Sequence, residues 1–429
     1  MKIILFLLSL IALLHAKIDL YKFEHKDANA TLFVIGGIHG NEPGGYFAPA
    51  ILTQYYTIKS NNLWVIPNLN KASIMANKRG VHGDMNRKFA TIKPNDKDKK
   101  IVQDVKKLIT NKQVSLILNL HDGHGFYRKK YNSTVFNPNA WGQSCVIDQC
   151  KINLDNAQKE YKDLKSIATR VTKNINKRLL EKHHKFHVKN TKTKFDDEAM
   201  QLSLTYYAVT NNKPAFAIET SKNLSTVSQK VFYQLLAIEE FMKIMHIDYE
   251  RHFQLNSKGI NKILKEYGSL NINNNISLDL VDIKKHLSYI PLKSSKNQFK
   301  FSHPLGMIKK TKKGYDVYVG NKILTTLKPQ IFHLAKCSQE HKLEVDGKIL
   351  NAKYNSEVVV KNYFKIKKDP SVRVNVIGFS KKGYKDESEL KVTLKDLAKR
   401  YSLDKHNKKY RVEFYKKDKF CSMIVVHFK

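Results

Sequence analysis

Thr31-Leu32-Phe33-Val34-Ile35-Gly36-Gly37-Ile38-His39-Gly40-Asn41-Glu42-Pro43-Gly44-Gly45 is the stretch that decides the fold. Its first five residues, apolar and partly β-branched, predict a buried strand. The turn that follows sets a histidine and a glutamate three residues apart among five glycines, where backbone freedom lets both side chains converge. Imidazole and carboxylate at a strand end are metal-ligand chemistry, and strand ends are where open α/β sheets bind ligands.

Further short apolar runs at 63–66, 114–120 and 215–218 read as strands, with helical patterns over 44–56, 98–110, 154–180 and 225–246, the last capped by Ser225. This alternation predicts an α/β fold, a mostly parallel sheet with helices on both faces. Beyond Tyr249 the pattern becomes β. A Gly320-Asn321 turn follows 314–319, an Asp346-Gly347 turn follows 343–345, and strand runs recur at 358–360, 372–376, 410–414 and 423–428. The expected organisation is a signal peptide over 1–16, a catalytic domain over 17–248, a β-rich module over 249–335 and a second over 336–429, the last suggesting an immunoglobulin-like sandwich.

Three predicted strands run into reactive residues. The first leads to His39 and Glu42, the third to His121, and the run at 215–218 stops at Glu219. Two imidazoles and one carboxylate form a three-ligand set for a single zinc ion with an open position, and Glu219 is the spare carboxylate. Between a strand and a helix, the segment from Asn77 to Phe89 adds Arg79, Asn86 and Arg87, suited to gripping a carboxylate or an oxyanion. His82, His124 and the tract His183-His184-Lys185-Phe186-His187 are competing histidines. Of these, His124 is nearest the site, and the tract is read as cationic residues past a helix end.

The chain opens with Lys2 and about a dozen apolar residues, too few for a membrane span and followed by the small Ala16, which predicts export. A formal net charge of +38 is spread along the whole length. That favours attraction to an anionic polymer or surface over nucleic-acid recognition, which export also disfavours. Four cysteines permit three complete pairings; Cys145 with Cys150 and Cys337 with Cys421 keep each bridge within one expected domain, and free buried thiols are the alternative.

His39-Gly40-Asn41-Glu42, the segment Gly80 to Arg87, Leu118-Asn119-Leu120-His121 and Ala217-Ile218-Glu219 together resemble the ordered motifs of the zinc carboxypeptidases related to carboxypeptidase A. The resemblance implies His39, Glu42 and His121 as zinc ligands and Glu219 as general base. It implies Arg79 as oxyanion stabiliser and Asn86 with Arg87 as the clamp on a terminal carboxylate. With the signal peptide and the β modules, the chain resembles most the periplasmic DL-carboxypeptidases that trim peptidoglycan tripeptides to dipeptides in helical bacteria, removing meso-diaminopimelate and so affecting cell shape. That likeness places Trp141 and Thr205 among the substrate contacts, with a phenol from Tyr206 or Tyr207, Tyr207 being counted with the contacts. Peptidoglycan muropeptides are the partners expected, with neither nucleic acid nor a retained membrane segment. An N-acyl amino acid deacylase with the same zinc set, or a non-catalytic wall-binding scaffold, are the rival readings.

Overall fold

The computed structural model describes residues 18–153 and 159–429. The expected signal peptide and the start of the helix expected over 154–180 lie outside the described residues.

The first domain begins with β1 (Tyr21–Phe23), β2 (Thr31–Ile35), α1 (Pro43–Tyr55), β3 (Tyr56–Ile58) and β4 (Asn62–Ile66), followed by α2 (Lys71–Ala76) and α3 (Lys99–Ile109). Next come β5 (Leu116–Gly123), β6 (Phe126–Tyr127), β7 (Phe136–Asn137), β8 (Ser144–Ile147), α4 (Leu164–Ile175) and β9 (His187–Asn190). It closes with α5 (Thr193–Asp196), α6 (Leu204–Thr210), β10 (Ala215–Ser221), α7 (Val227–Ile244), β11 (Tyr249–Arg251) and α8 (Ser257–Ile263). The main sheet has the order β1-β4-β2-β5-β10-β8-β9. Its centre, β4-β2-β5-β10, is parallel, and antiparallel joints occur at β1/β4 and β10/β8. Every residue of β2 and β4 is buried, because helices cover both faces of the sheet and a strand so enclosed needs an unbroken apolar run rather than alternation. On one side α1, α4 and α7 pack on one another; α6 contacts β5 and β10, and Lys106 of α3 lies over the Tyr207 ring of α6.

Several expected bounds shift for local reasons. Thr226 rather than Ser225 caps α7, because the Thr226 and Gln229 side chains satisfy each other's backbone amides in a capping box. The helix expected over 154–180 begins at Leu164, where the Asp163 carboxylate accepts the Ser166 amide. Both β5 and β10 run past the polar residues expected to end them, since their parallel pairing continues to Gly123 and Ser221. The first hydrophobic core runs on past 248 through Leu255, Ile260 and Ile263, as β11 pairs with β3 and α8 packs on α7.

The middle β module holds a three-stranded sheet, built from Ser269–Ile272, Ile276–Asp279 and Phe299–Phe301. Its four-stranded sheet comprises His286–Leu292, Gly306–Thr311, Gly314–Val319 and Lys322–Ile331. Tyr46 and Ala50 of α1 and Ile74 of α2 belong to its core, which seats the module on the first domain. The last module is a sandwich of two four-stranded sheets enclosing one core. Its strands Lys409–Lys416 and Lys419–Phe428 are buried along nearly their whole length, because their other face packs into the middle module through Tyr415, Phe420, Met423 and Val425. Cys337 and Cys421 form a disulfide, whereas Cys145 and Cys150 are free, Cys145 buried and Cys150 exposed. The Cys145–Cys150 bridge considered for the first domain therefore does not form. No helix among the described residues is long and apolar enough to cross a membrane.

Candidate metal centre and active site

β2 leads directly into the glycine-framed turn. Of its five glycines only Gly37 has a positive φ, 71°. Gly40 is needed for room instead, since a Cβ there would lie 1.9 Å from Ser73 O. Glu42 occupies the N-cap position of α1, with Pro43 as the first helical residue, yet its side chain makes no capping bond. The carboxylate is left free to turn inward.

It meets both histidines. Glu42 Oε1 lies 3.0 Å from His39 Nδ1 and Oε2 lies 2.9 Å from His121 Nδ1, and the two Nδ1 atoms are 3.2 Å apart. All three side chains are buried, and their ligand atoms fall within 4.8 Å of one another. Burial alone would raise the Glu42 carboxyl, but the charge and hydrogen bonds of the two histidines outweigh it and hold it well below the carboxylate range. Burial lowers His121, which favours the uncharged imidazole a metal requires. Two imidazole nitrogens and a carboxylate aimed at one buried point fit a divalent ion better than they fit each other.

Asp84 was not singled out from the sequence, although it stands two residues before Asn86 in a segment that was. It is the hub of the site. Its Oδ1 lies 2.7 Å from His39 Nε2 and also accepts the Asn86 backbone amide, while Oδ2 accepts Arg79 Nε at 2.8 Å. One carboxylate thus orients a histidine of the candidate cluster, starts the short 3-10 turn Met85–Arg87 and aims an arginine. Burial works to raise its carboxyl, but His39 and Arg79 hold it well below the usual range.

A cavity of about 280 Å³ opens over these groups. His39, Glu42, His121, Arg79, Asn86, Arg87, Trp141, Thr205 and Glu219 all line it, as does His124. Glu219 stands beside His121 in the parallel register of β5 and β10. Its Oε2 is shielded and has no hydrogen-bond partner. Burial, with the charges of Glu42 and Asp122 next to it, pushes Glu219 well above the carboxylate range. Asn86 Oδ1 accepts the Leu204 amide at 3.0 Å, so its amide nitrogen is the end left for a ligand. Asp122 and Lys222 also line the cavity without having been singled out. Asp122 accepts from Gly44 N and from the Thr220 hydroxyl, and burial pushes it up to about 6. Lys222 Nζ lies 3.5 Å from Glu42 Oε1.

Tyr207 does not line the cavity. Its ring packs against Phe89, with centroids 6.4 Å apart, and under Lys106 Nζ. A helix turns about 100° per residue, so with Thr205 facing the cavity the side chain two positions later points elsewhere. Neither Tyr207, expected among the substrate contacts, nor Tyr206 lines the cavity. In the histidine tract, His183 and His184 stand near Glu181, with His183 half-exposed and His184 Nδ1 3.0 Å from the Tyr233 hydroxyl.

Residues 1–265 match the family described as "Carboxypeptidase controlling helical cell shape catalytic", and residues 334–429 match "C-terminal domain of metallo-carboxypeptidase". The chain belongs to this family. It is a metallocarboxypeptidase, a peptide-bond hydrolase that requires a metal ion. Solved structures of the cell shape determinant protein Csd4 from Helicobacter pylori are similar to nearly all of this carboxypeptidase. The apo form is 33% identical over 96% of this chain and 100% of its own, with a TM-score of 0.89. The tripeptide-bound form matches to the same degree. The form described as mDAP-bound, from "a D,L-carboxypeptidase", is 33% identical over 95% of this chain and 100% of its own, also at 0.89. No curated protein sequence matches the chain.

Proposed function

We propose that this metallocarboxypeptidase is a zinc-dependent DL-carboxypeptidase of the periplasm that removes the terminal meso-diaminopimelate from peptidoglycan tripeptide stems, leaving dipeptides. The observation that carries this reading is the convergence of the His39, Glu42 and His121 cluster, Glu219 and the Asn86-Arg87 pair in one cavity. The relatives bound to tripeptide and to mDAP supply the substrate class.

His39, Glu42 and His121 would hold the ion, a nitrogen and oxygen set that suits zinc and leaves a position open. When bound, the ion supplies Lewis acidity, polarising the scissile carbonyl and making water more acidic. Glu219, with Oε2 unpartnered, takes the proton of the attacking water and delivers it to the leaving amine. Arg79 and Lys222 work against the upward shift that burial imposes on Glu219, and a bound cation would add to them, favouring the carboxylate that acts as base. Arg79, fixed by Asp84, meets the negative charge that develops on the carbonyl oxygen. Asn86 presents its amide nitrogen and Arg87 its fork to the free carboxylate, which restricts cleavage to the chain terminus. Trp141 and Thr205 wall the space for the departing residue.

Mass spectrometry of purified tripeptide muropeptides tests this directly. The expected result is loss of one diaminopimelate residue, abolished by a chelator and restored by zinc. Tripeptides left intact while simple N-acyl amino acids are hydrolysed would assign the site to a deacylase instead.

A further inference from the structure

One cavity system plays no part in this chemistry. Strand His286–Leu292 pairs with strand Lys322–Ile331, and the register slips in the middle: His286 and Leu287 face Thr326 and Leu327, whereas Ile290 faces Pro329. Two residues, Ser288 and Tyr289, therefore oppose one, a β-bulge that turns a side chain out of the regular alternation. The side chain turned out belongs to Tyr289, with φ of 58° and 55% exposure. A bulky residue in the left-handed region is strained, and an exposed ring offsets none of that strain by burial.

The bulge is held from the last module. Arg411, only 2% exposed, donates Nη1 to Tyr289 O and Nη2 to Ser288 O, both at 3.1 Å. Its charge is met by buried Glu413 at 3.1 Å, and Glu413 accepts the Tyr415 hydroxyl. Arg411 Nε remains shielded and unpartnered beside the cavity. Burying an ion pair rarely adds stability over apolar packing, so its presence at a strained bulge points to a shape being maintained.

The shape is a groove. Two adjoining cavities, of about 360 and 690 Å³, share Tyr289, Arg400 and Tyr401 and are lined only by residues of the two β modules. Both volumes lie within the ~300–1,000 Å³ range of ligand sites. The Tyr289 and Tyr401 rings have centroids 6.4 Å apart, Arg400 lies over the Tyr401 ring, and Tyr384, 51% exposed, lines the larger cavity. Gln330 and Asn375 bring amides to the same surface.

Aromatic faces, amides and a guanidinium set along one groove match a chain of N-acetylated sugars. Sugar C–H faces lie on phenol rings, acetamido groups pair with amides, and amide carbonyl and hydroxyl oxygens accept from the arginine. We propose that this groove binds the glycan strand of peptidoglycan, which rests on the reading that the catalytic cavity takes that polymer's stem peptides. Holding the strand raises the effective concentration of stems at the catalytic cavity without adding a contact there.

Tyr289→Gly is the informative variant, because glycine accepts the positive φ and removes only the ring. The full-length wild type, Tyr289→Gly and Tyr384→Ala are compared for co-sedimentation with glycan strands stripped of peptides, for turnover of soluble tripeptide, for turnover on intact sacculi and for Tm. The expected result is about tenfold weaker glycan binding and slower turnover on sacculi in both variants, with soluble turnover unchanged. The Tm of Tyr289→Gly should not fall. Undiminished glycan binding by both variants, or a wild type that sediments only with peptide-bearing sacculi, overturns the proposal. A wild type that binds glycan but leaves tripeptides intact overturns the substrate reading and leaves the groove assignment standing.

Discussion

His121 and Glu219 are direct neighbours in the parallel register of β5 and β10, one strand carrying a histidine of the candidate metal cluster and the other the unpartnered carboxylate. The backbone ladder, rather than any side-chain bond, fixes their separation. Glu219→Gln keeps the shape and removes the base. It should lower kcat on tripeptide by about 10²- to 10⁴-fold while the bound metal, measured by elemental analysis, stays stoichiometric. Turnover at the wild-type rate would remove Glu219 from the mechanism.

Asp84 links His39, Arg79 and the Asn86 backbone. Asp84→Asn retains the size but loses the charge that orients the imidazole. The expected outcome is about 10- to 100-fold weaker metal affinity in a competitive chelator titration, together with reduced kcat/KM.

Arg87 acts through its fork, so Arg87→Lys should fail to substitute despite the conserved charge. The expectation is a fall in kcat/KM on tripeptide of about 10- to 100-fold, with metal content unchanged. Amidating the substrate's terminal carboxylate should cost the wild type more than it costs the variant, and steady-state kinetics on the two substrates gives that difference.

A Cβ at position 123 would lie 2.5 Å from Trp141 Cβ and 2.8 Å from Glu219 Oε2. Gly123→Ala should displace the cavity wall and the base together. A destabilisation of about 1–3 kcal/mol by denaturant melting and a disproportionate loss of kcat are expected.

His303 is nearly buried, and its Nδ1 accepts the Leu305 amide at 3.1 Å, a bond only the neutral ring can make. Burial depresses it to about 4. A folded pKa below the unfolded one gives stability that is fully present above about 6.5 and lost as pH falls toward 4, by at most about 2 kcal/mol at pH 5. His303→Gln should flatten this part of the acid limb in melts taken between pH 7 and 4.5.

The resemblance of ordered motifs picked out residues that converge in the fold because they sit where strand chemistry forces them. An apolar run that ends in His39, His121 or Glu219 announces itself in one dimension, since burial on both faces requires the unbroken run and the polar residue breaks it. The α/β alternation and the turns at Gly320-Asn321 and Asp346-Gly347 were legible for the same local reason. Asp84 was not, because a lone aspartate near a short turn looks like any cap until His39 and Arg79 are folded onto it from 45 and 5 residues away. That the Tyr207 ring packs on Phe89 while Thr205 lines the cavity was not legible either, because adjacency in sequence does not say which way a helix faces.

Sequence by itself determined the fold class and the family, and it named the groups that the fold brings to the candidate metal cluster. Tertiary structure alone decided that Asp84 ties ligand, clamp and arginine into one unit, that Cys145 stays unpaired, and that Arg411 reaches across two modules to hold the Tyr289 bulge. Local patterns are written in residue periodicity, whereas contacts between distant segments depend on how whole elements pack, and that is set only when the sheet, the helices and both β modules bury one another.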